Sequence, residues 1–201
     1  MKSGLLVVVS GPAGVGKGTV VRKMMELSDN VVLSISATSR SPRPSEMEGE
    51  NYFFKTKEQF EEMIKNDQLI EWVDYCGNYY GTPREFVCSE IEKGHIVILE
   101  IEVEGALHVR KLFPECVLCF IVPPDGNELE NRLRGRGTEN EETIQKRLLR
   151  AREEFQFLDQ YDYMILNDNI ESAANRFIHI IESEKMRIIR NKDLIQEFKN
   201  I

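Results

Sequence analysis

The chain has 201 residues, with 26 Lys and Arg against 34 Asp and Glu, for a formal net charge of −8. That length suits one domain, or one core with small insertions, and is enough to bury a hydrophobic centre without staples. The acidic balance gives no overall field to hold nucleic acid or an anionic membrane, so any phosphate binding must come from local basic clusters. No apolar run reaches the length of a membrane span or a secretory leader, and the expectation is a cytoplasmic protein.

Leu5-Leu6-Val7-Val8-Val9 reads as a buried strand and Val20-Val21-Arg22-Lys23-Met24-Met25 as a helix. Between them stands Gly11-Pro12-Ala13-Gly14-Val15-Gly16-Lys17-Gly18-Thr19. A glycine-rich turn joining strand to helix has phosphate-binding geometry: successive N–H groups line a concavity and the helix N-terminus adds partial positive charge. Lys17 is placed to reach the β- and γ-phosphates of a nucleotide. The pattern G-x-x-x-x-G-K-[ST] is met except at its last position, where Gly18 stands and the hydroxyl is displaced to Thr19.

After a second strand-like run at 31–35, the stretch from Ser36 to Tyr80 breaks the alternation of strands and helices. It reads as a small separate sheet with one helix, Glu58 to Lys65. Arg40 and Arg43 flank Pro42, and two guanidinium forks on a stiff loop suit a second, smaller phosphate group. Ser36, Glu46 and Tyr52 lie close by, with Glu71, Tyr80 and Thr82 further on. Carboxylates plus a hydroxyl suit guanine, which offers N1–H and N2–H₂ as donors and O6 as acceptor. Adenine would leave such a carboxylate unpaired, at a cost. Thr82-Pro83-Arg84-Glu85 has the form of a capping box opening the next helix.

Ile96-Val97-Ile98-Leu99-Glu100-Ile101-Glu102 reads as an apolar strand ending in alternate acids on one side. One of them could hold hydrated magnesium; the plainer reading makes them helix N-terminal acids leading into Gly105-Ala106. Cys116 and Cys119 form a C-x-x-C within a strand-like run reaching Val122. Residues three apart on a strand face opposite sides, so buried structural cysteines are expected rather than a metal or redox pair. Cys76, Cys88 and the scattered His95, His108 and His179 carry no spacing argument. Residues 125–157 are polar, helical and rich in both charges, with Arg132, Arg134, Arg136, Arg147 and Arg150 as phosphate candidates against a solvated charged face. Thr138-Glu139-Asn140-Glu141 looks like another helix start. A strand at 163–166 precedes a last helix expected from about Asn169 toward the C-terminus.

With these segments in hand the chain resembles the guanylate kinase family over nearly its full length. The resemblance rests on Gly11 to Thr19, Thr38-Ser39-Arg40-Ser41-Pro42-Arg43-Pro44-Ser45-Glu46, Gly49-Glu50-Asn51-Tyr52-Phe53-Phe54, Ile70-Glu71-Trp72, Gly77-Asn78-Tyr79-Tyr80-Gly81-Thr82, Arg132-Leu133-Arg134-Gly135-Arg136-Gly137 and Asn167-Asp168. It implies an α/β fold, a parallel sheet core of P-loop kinase type with a small mixed α/β GMP-binding insert and a helical lid. The corresponding segments are 1–35, 84–124 and 158–201 for the core, 36–83 for the insert and 125–157 for the lid. It implies transfer of the ATP γ-phosphoryl to GMP, and to dGMP, with Mg2+.

By the same resemblance, Ser36, Arg40, Arg43, Glu46, Tyr52, Glu71, Tyr80, Thr82 and Glu102 bind GMP. Residues Gly11 to Thr19 bind ATP, with Asn167 near the adenine side. Lys17, Arg132, Arg136 and Arg147 surround the transferring group, and Glu100 holds magnesium through water. Where the family usually carries aspartates this chain has Glu100 and Glu102. A catalytically inactive module of the same fold that binds protein partners, and a kinase for another nucleoside monophosphate, are the alternatives. The first is opposed by the intact Lys17 and arginines, the second by Glu71 and Glu102.

Overall fold

The computed structural model describes residues 4–75, 77–135 and 140–201. In chain order its elements are β1 (Leu5–Ser10), α1 (Lys17–Glu26), β2 (Val31–Leu33), β3 (Ala37–Thr38), β4 (Phe53–Phe54), α2 (Lys57–Lys65), β5 (Leu69–Tyr75) and β6 (Asn78–Pro83). Then follow α3 (Arg84–Glu92), β7 (Ile96–Glu100), α4 (Val103–Leu112), β8 (Val117–Val122), α5 (Gly126–Gly135), α6 (Glu141–Phe155), β9 (Tyr163–Leu166), α7 (Ile170–Lys185) and α8 (Lys192–Lys199). A five-stranded sheet has the order β2-β7-β1-β8-β9, and a four-stranded sheet the order β4-β3-β6-β5. None of the described helices is long and apolar enough to cross a membrane.

The chain forms two compact units: residues up to Val8 together with Val31–Val117, and Val9–Asn30 together with Leu118–Ile201. In the first, β2 runs parallel to β7, with Val31 opposite Ile96 and Leu33 opposite Ile98. All of β7 is buried except its last residue, Glu100, as befits a parallel strand covered on both faces. The small sheet pairs β3 parallel to β4 and antiparallel to β6, with β5 and β6 antiparallel beside it. The helix expected from Glu58 begins one residue earlier, where Thr56 and Gln59 form a reciprocal capping box. Phe60 on that helix is fully buried against Ala37 and Leu69 and stacks on Tyr79 at 5.3 Å.

One expected helix start is corrected here. The α3 N-cap is Pro83, with no side-chain capping bond; the Thr82 hydroxyl donates instead to Glu71 Oε1 at 2.6 Å. In the second unit the cap of α6 is Asn140, whose side chain accepts from the Thr143 N–H at 2.9 Å. Thr138 and Glu139 lie outside the described residues, as does Cys76.

In the second unit β8 pairs parallel with β9, placing Cys119 opposite Tyr163 and Val122 opposite Leu166. Helix α1 buries Val20, Val21 and Met24, and α7 buries Ala173, Ala174, Phe177 and Ile181. The two helices pack on each other. Asn169 caps α7 as expected, accepting from the N–H groups of Glu171 and Ser172. The helix ends at Lys185, however, and the C-terminal segment continues as a short turn and α8. Cys116 and Cys119 are both buried, and burial pushes the Cys119 thiol well above its ordinary range.

Candidate functional site: a phosphate turn and an acceptor loop

The phosphate turn leaves the end of β1 and enters α1 at Lys17, with Gly16 as N-cap in the left-handed region at φ 91°. No side chain caps this helix and its first turn holds no acid, so its N-terminus keeps its positive potential for an anion. The Lys17 ammonium lies back on the turn, donating to the Gly11 carbonyl at 2.5 Å and the Pro12 carbonyl at 3.3 Å. Gly14 has φ 88°, and a Cβ there would stand 2.8 Å from Leu133 Cδ2 of α5. Only glycine fits such a position. Gly18 is half-buried and Thr19 exposed on the first turn of α1.

Beneath the turn, Asn167 is 3% exposed, and its Nδ2 donates to the Val15 carbonyl at 2.7 Å. Each of the three guanidinium nitrogens of Arg132 donates one hydrogen bond. Its Nη1 donates to the Val15 carbonyl at 3.2 Å, Nη2 to the Asn167 carbonyl at 3.0 Å, and Nε to Glu128 Oε1 at 2.7 Å. The arginine cluster is therefore divided. Arg132 braces the turn; Arg134 pairs with Glu130 and Glu141, and Arg150 with Glu154, as a solvated charged face does. Arg147 is half-buried on α6, and Arg136 lies outside the described residues.

In the first unit, the loop after β3 carries Arg40 and Arg43. Arg40 Nη2 meets both oxygens of Glu46, at 2.8 and 2.9 Å, and Nη1 donates to the Ser41 carbonyl at 2.7 Å. Its guanidinium lies 5.5 Å from the Tyr52 ring centroid, and Tyr52 meets Tyr80 edge-on at 6.1 Å. Glu46 Oε2 also accepts the Arg43 N–H at 2.8 Å. The Arg40 hydrogen bond and then the Arg43 N–H hold the Glu46 carboxyl below its ordinary range. Glu46 thus holds the Arg40 guanidinium and the Arg43 backbone, while the Arg43 side chain is exposed.

Glu71, on β5, receives the Thr82 hydroxyl and lies beside Gly105, where an added Cβ would come within 3.3 Å of Glu71 Oε2. Burial pushes the Glu71 carboxyl up, against a smaller downward pull from Thr82. Ser36 is half-buried just before β3, its carbonyl accepting the Phe53 N–H at 2.9 Å. Glu100 is exposed at the end of β7. The strand stops there, so Glu102 does not continue its alternation; it is the exposed N-cap of α4, without a side-chain capping bond.

Sequence reasoning passed over Glu128, although its spacing of four from Arg132 on one helix was the available signal. It placed Glu46 correctly in the loop without seeing that both its oxygens would serve Arg40.

A glycine-rich turn opening a helix without a side-chain cap, and a loop carrying Arg40 and Arg43 with Glu46, are features of the nucleoside monophosphate kinase class. The sequence profile described as guanylate kinase matches residues 3–184. The guanylate kinase of Caldanaerobacter subterraneus subsp. tengcongensis is 49% identical over 193 residues, covering 96% of this chain and 94% of that protein. That of Halalkalibacterium halodurans is 51% identical over 183 residues, 91% of this chain and 90% of the relative. The crystal structure of guanylate kinase from Anaplasma phagocytophilum superposes with a TM-score of 0.74 at 33% identity, covering 94% of this chain and 90% of that one. The chain belongs to the guanylate kinase family.

Proposed function

We propose that this chain transfers the γ-phosphoryl group of ATP to GMP, giving ADP and GDP, in the cytoplasm. Given the family, the observation that carries the choice of acceptor is Glu71: a half-buried carboxylate with the buried Thr82 hydroxyl on one oxygen suits the N1–H and N2–H₂ edge of guanine and penalises adenine. Residues 36–83 act as the GMP-binding insert and 125–157 as the lid on a core of 1–35, 84–124 and 158–201. Ser36, Tyr52, Tyr80 and Glu102 complete the acceptor site.

In this reading the turn's N–H groups hold the ATP phosphates, and Lys17 leaves the Gly11 and Pro12 carbonyls to neutralise charge on them. Arg40 and Arg43, held by Glu46, grip the phosphate of GMP. An oxygen of that phosphate forms a bond to the γ-phosphorus as the bond to the bridging oxygen of ADP breaks, and the electron pair leaves with ADP. Arg132, Arg136 and Arg147 offset the charge spread over the equatorial oxygens. The carboxylate of Glu100 is a hard oxygen donor, exposed at a strand end, and fits a magnesium ion that keeps most of its waters. When bound with ATP, the ion neutralises phosphate charge.

A coupled assay with GMP, AMP, UMP and CMP tests this directly. Turnover with GMP far above the others is expected. Preference for another acceptor would move the chain to a different specificity, and GMP binding without turnover would make it an inactive module.

A further inference from the structure

The Val15 carbonyl accepts two hydrogen bonds, from Asn167 Nδ2 at 2.7 Å and Arg132 Nη1 at 3.2 Å, so both its lone pairs are committed. A trans peptide is planar, with its C=O and following N–H pointing in opposite directions. Fixing the Val15 carbonyl against the buried Asn167 therefore turns the Gly16 N–H the other way, away from Asn167. Gly16 makes the approach possible, since a Cβ there would stand 2.7 Å from Asn167 Nδ2.

The Asn167 amide is not placed there for its own satisfaction. Among the described residues its Oδ1 is buried without a hydrogen-bond partner, a cost that an apolar side chain would avoid. Turning the amide over would set Oδ1 against the Val15 oxygen, so the donating orientation is the one the surroundings permit.

We propose that Asn167 is the positioning residue of the phosphate turn: through the Val15–Gly16 peptide it aims the Gly16 N–H at the nucleotide phosphates. Arg132, itself oriented by Glu128, is a second hold on the same carbonyl. This role differs from an adenine contact, because it acts on any phosphate ligand whatever its base. It rests on the kinase reading only for the identity of the nucleotide.

The test compares wild type with Asn167→Asp, which replaces the donor by an acceptor of the same shape, and with Asn167→Ala. Affinity is measured for ATP, for GMP and for inorganic tripolyphosphate, which has no base. Misdirecting one N–H bond to a charged phosphate should weaken ATP and tripolyphosphate alike by about tenfold or more, Asp more than Ala. GMP affinity should stay within about twofold, which also certifies that each variant is folded. If Asn167→Asp fails that check, Asn167→Ala carries the comparison. Loss of ATP binding with tripolyphosphate unaffected would make Asn167 a base contact and overturn the proposal, as would unchanged binding of both. A merely structural role would lower thermal stability without moving anion affinity. Should wild type fail to phosphorylate GMP while the Asn167 variants still lose tripolyphosphate affinity, the kinase reading falls and this one stands.

Discussion

Lys17 lies on its own turn and, in the proposed reaction, on the nucleotide phosphates. Its ammonium donates to the carbonyls of Gly11 and Pro12 in the same turn, both neutral acceptors. Lys17→Ala should then keep near-wild-type stability and GMP affinity while turnover drops by about a hundredfold or more, the usual loss for one preorganised charge-stabilising donor. Steady-state kinetics at saturating ATP check this, and near-normal turnover in a folded variant would remove Lys17 from the reaction. Glu71 makes a sharper case because burial raises its pKa in the free protein. Guanine's donors favour the ionised carboxylate, so GMP should bind more weakly as pH falls through that raised pKa, above the ordinary carboxylate range. Glu71→Gln keeps the shape but presents N–H to N–H. It should weaken GMP by about 2 kcal/mol and lose the acidic limb of the kcat/KM profile. An unchanged limb would show that another group titrates there.

At the level of elements, what was legible depended on how local the cause was. β1 and β8 were readable because strands buried on both faces appear as continuous apolar runs. Asn169 was readable as a cap because its partners are its immediate successors. Thr82 was misread as a cap because its hydroxyl is claimed by Glu71, eleven residues away on the neighbouring strand. Asn167 acts on a carbonyl 152 residues distant, a role no local pattern encodes. The two-residue strands β3 and β4 are too short to leave a periodicity. The same distinction governs the end of α7, where Glu184 accepts from Tyr163 of β9 at 2.6 Å and from Arg190 at 2.6 and 3.1 Å. Burial pushes this carboxyl up, but the bonds from Tyr163, Arg190 and Arg187 outweigh it and leave the pKa below its ordinary value. Its stabilising contribution is therefore present above the ordinary carboxylate range and is lost as pH falls through the depressed pKa. Glu184→Ala should cost about 3 kcal/mol, since it removes the carboxylate that meets a largely buried guanidinium and accepts the Tyr163 hydroxyl. That corresponds to a fall in Tm of roughly 6–12 °C at neutral pH. Thermal melts from neutral to acid pH should show the gap to wild type closing, and a pH-independent gap would mean that the loss is one of packing.

Across the whole molecule a net charge of −8 coexists with proposed ligands that are themselves anions, so binding should depend on where the cations are concentrated. Lys17 and Arg132 belong to one compact unit, Arg40 and Arg43 to the other. Ligands that bind only the folded chain stabilise it by RT ln(1 + [L]/Kd), about 2.7 kcal/mol at a hundredfold excess over Kd. For a chain of this length that is a rise in Tm of roughly 5–10 °C. ATP and GMP should each produce such a rise, and the two should be separable by mutation. Arg43 offers the cleaner probe of the acceptor loop, because Glu46 holds its backbone N–H while its side chain is exposed. Arg43→Ala should abolish most of the GMP-dependent rise and leave that of ATP; Lys17→Ala should do the reverse. Differential scanning fluorimetry of wild type and both variants, with each ligand alone, makes the comparison. If Arg43→Ala removed protection by both nucleotides, or by neither, the division of ligands between the phosphate turn and the acceptor loop would be wrong even in an active enzyme.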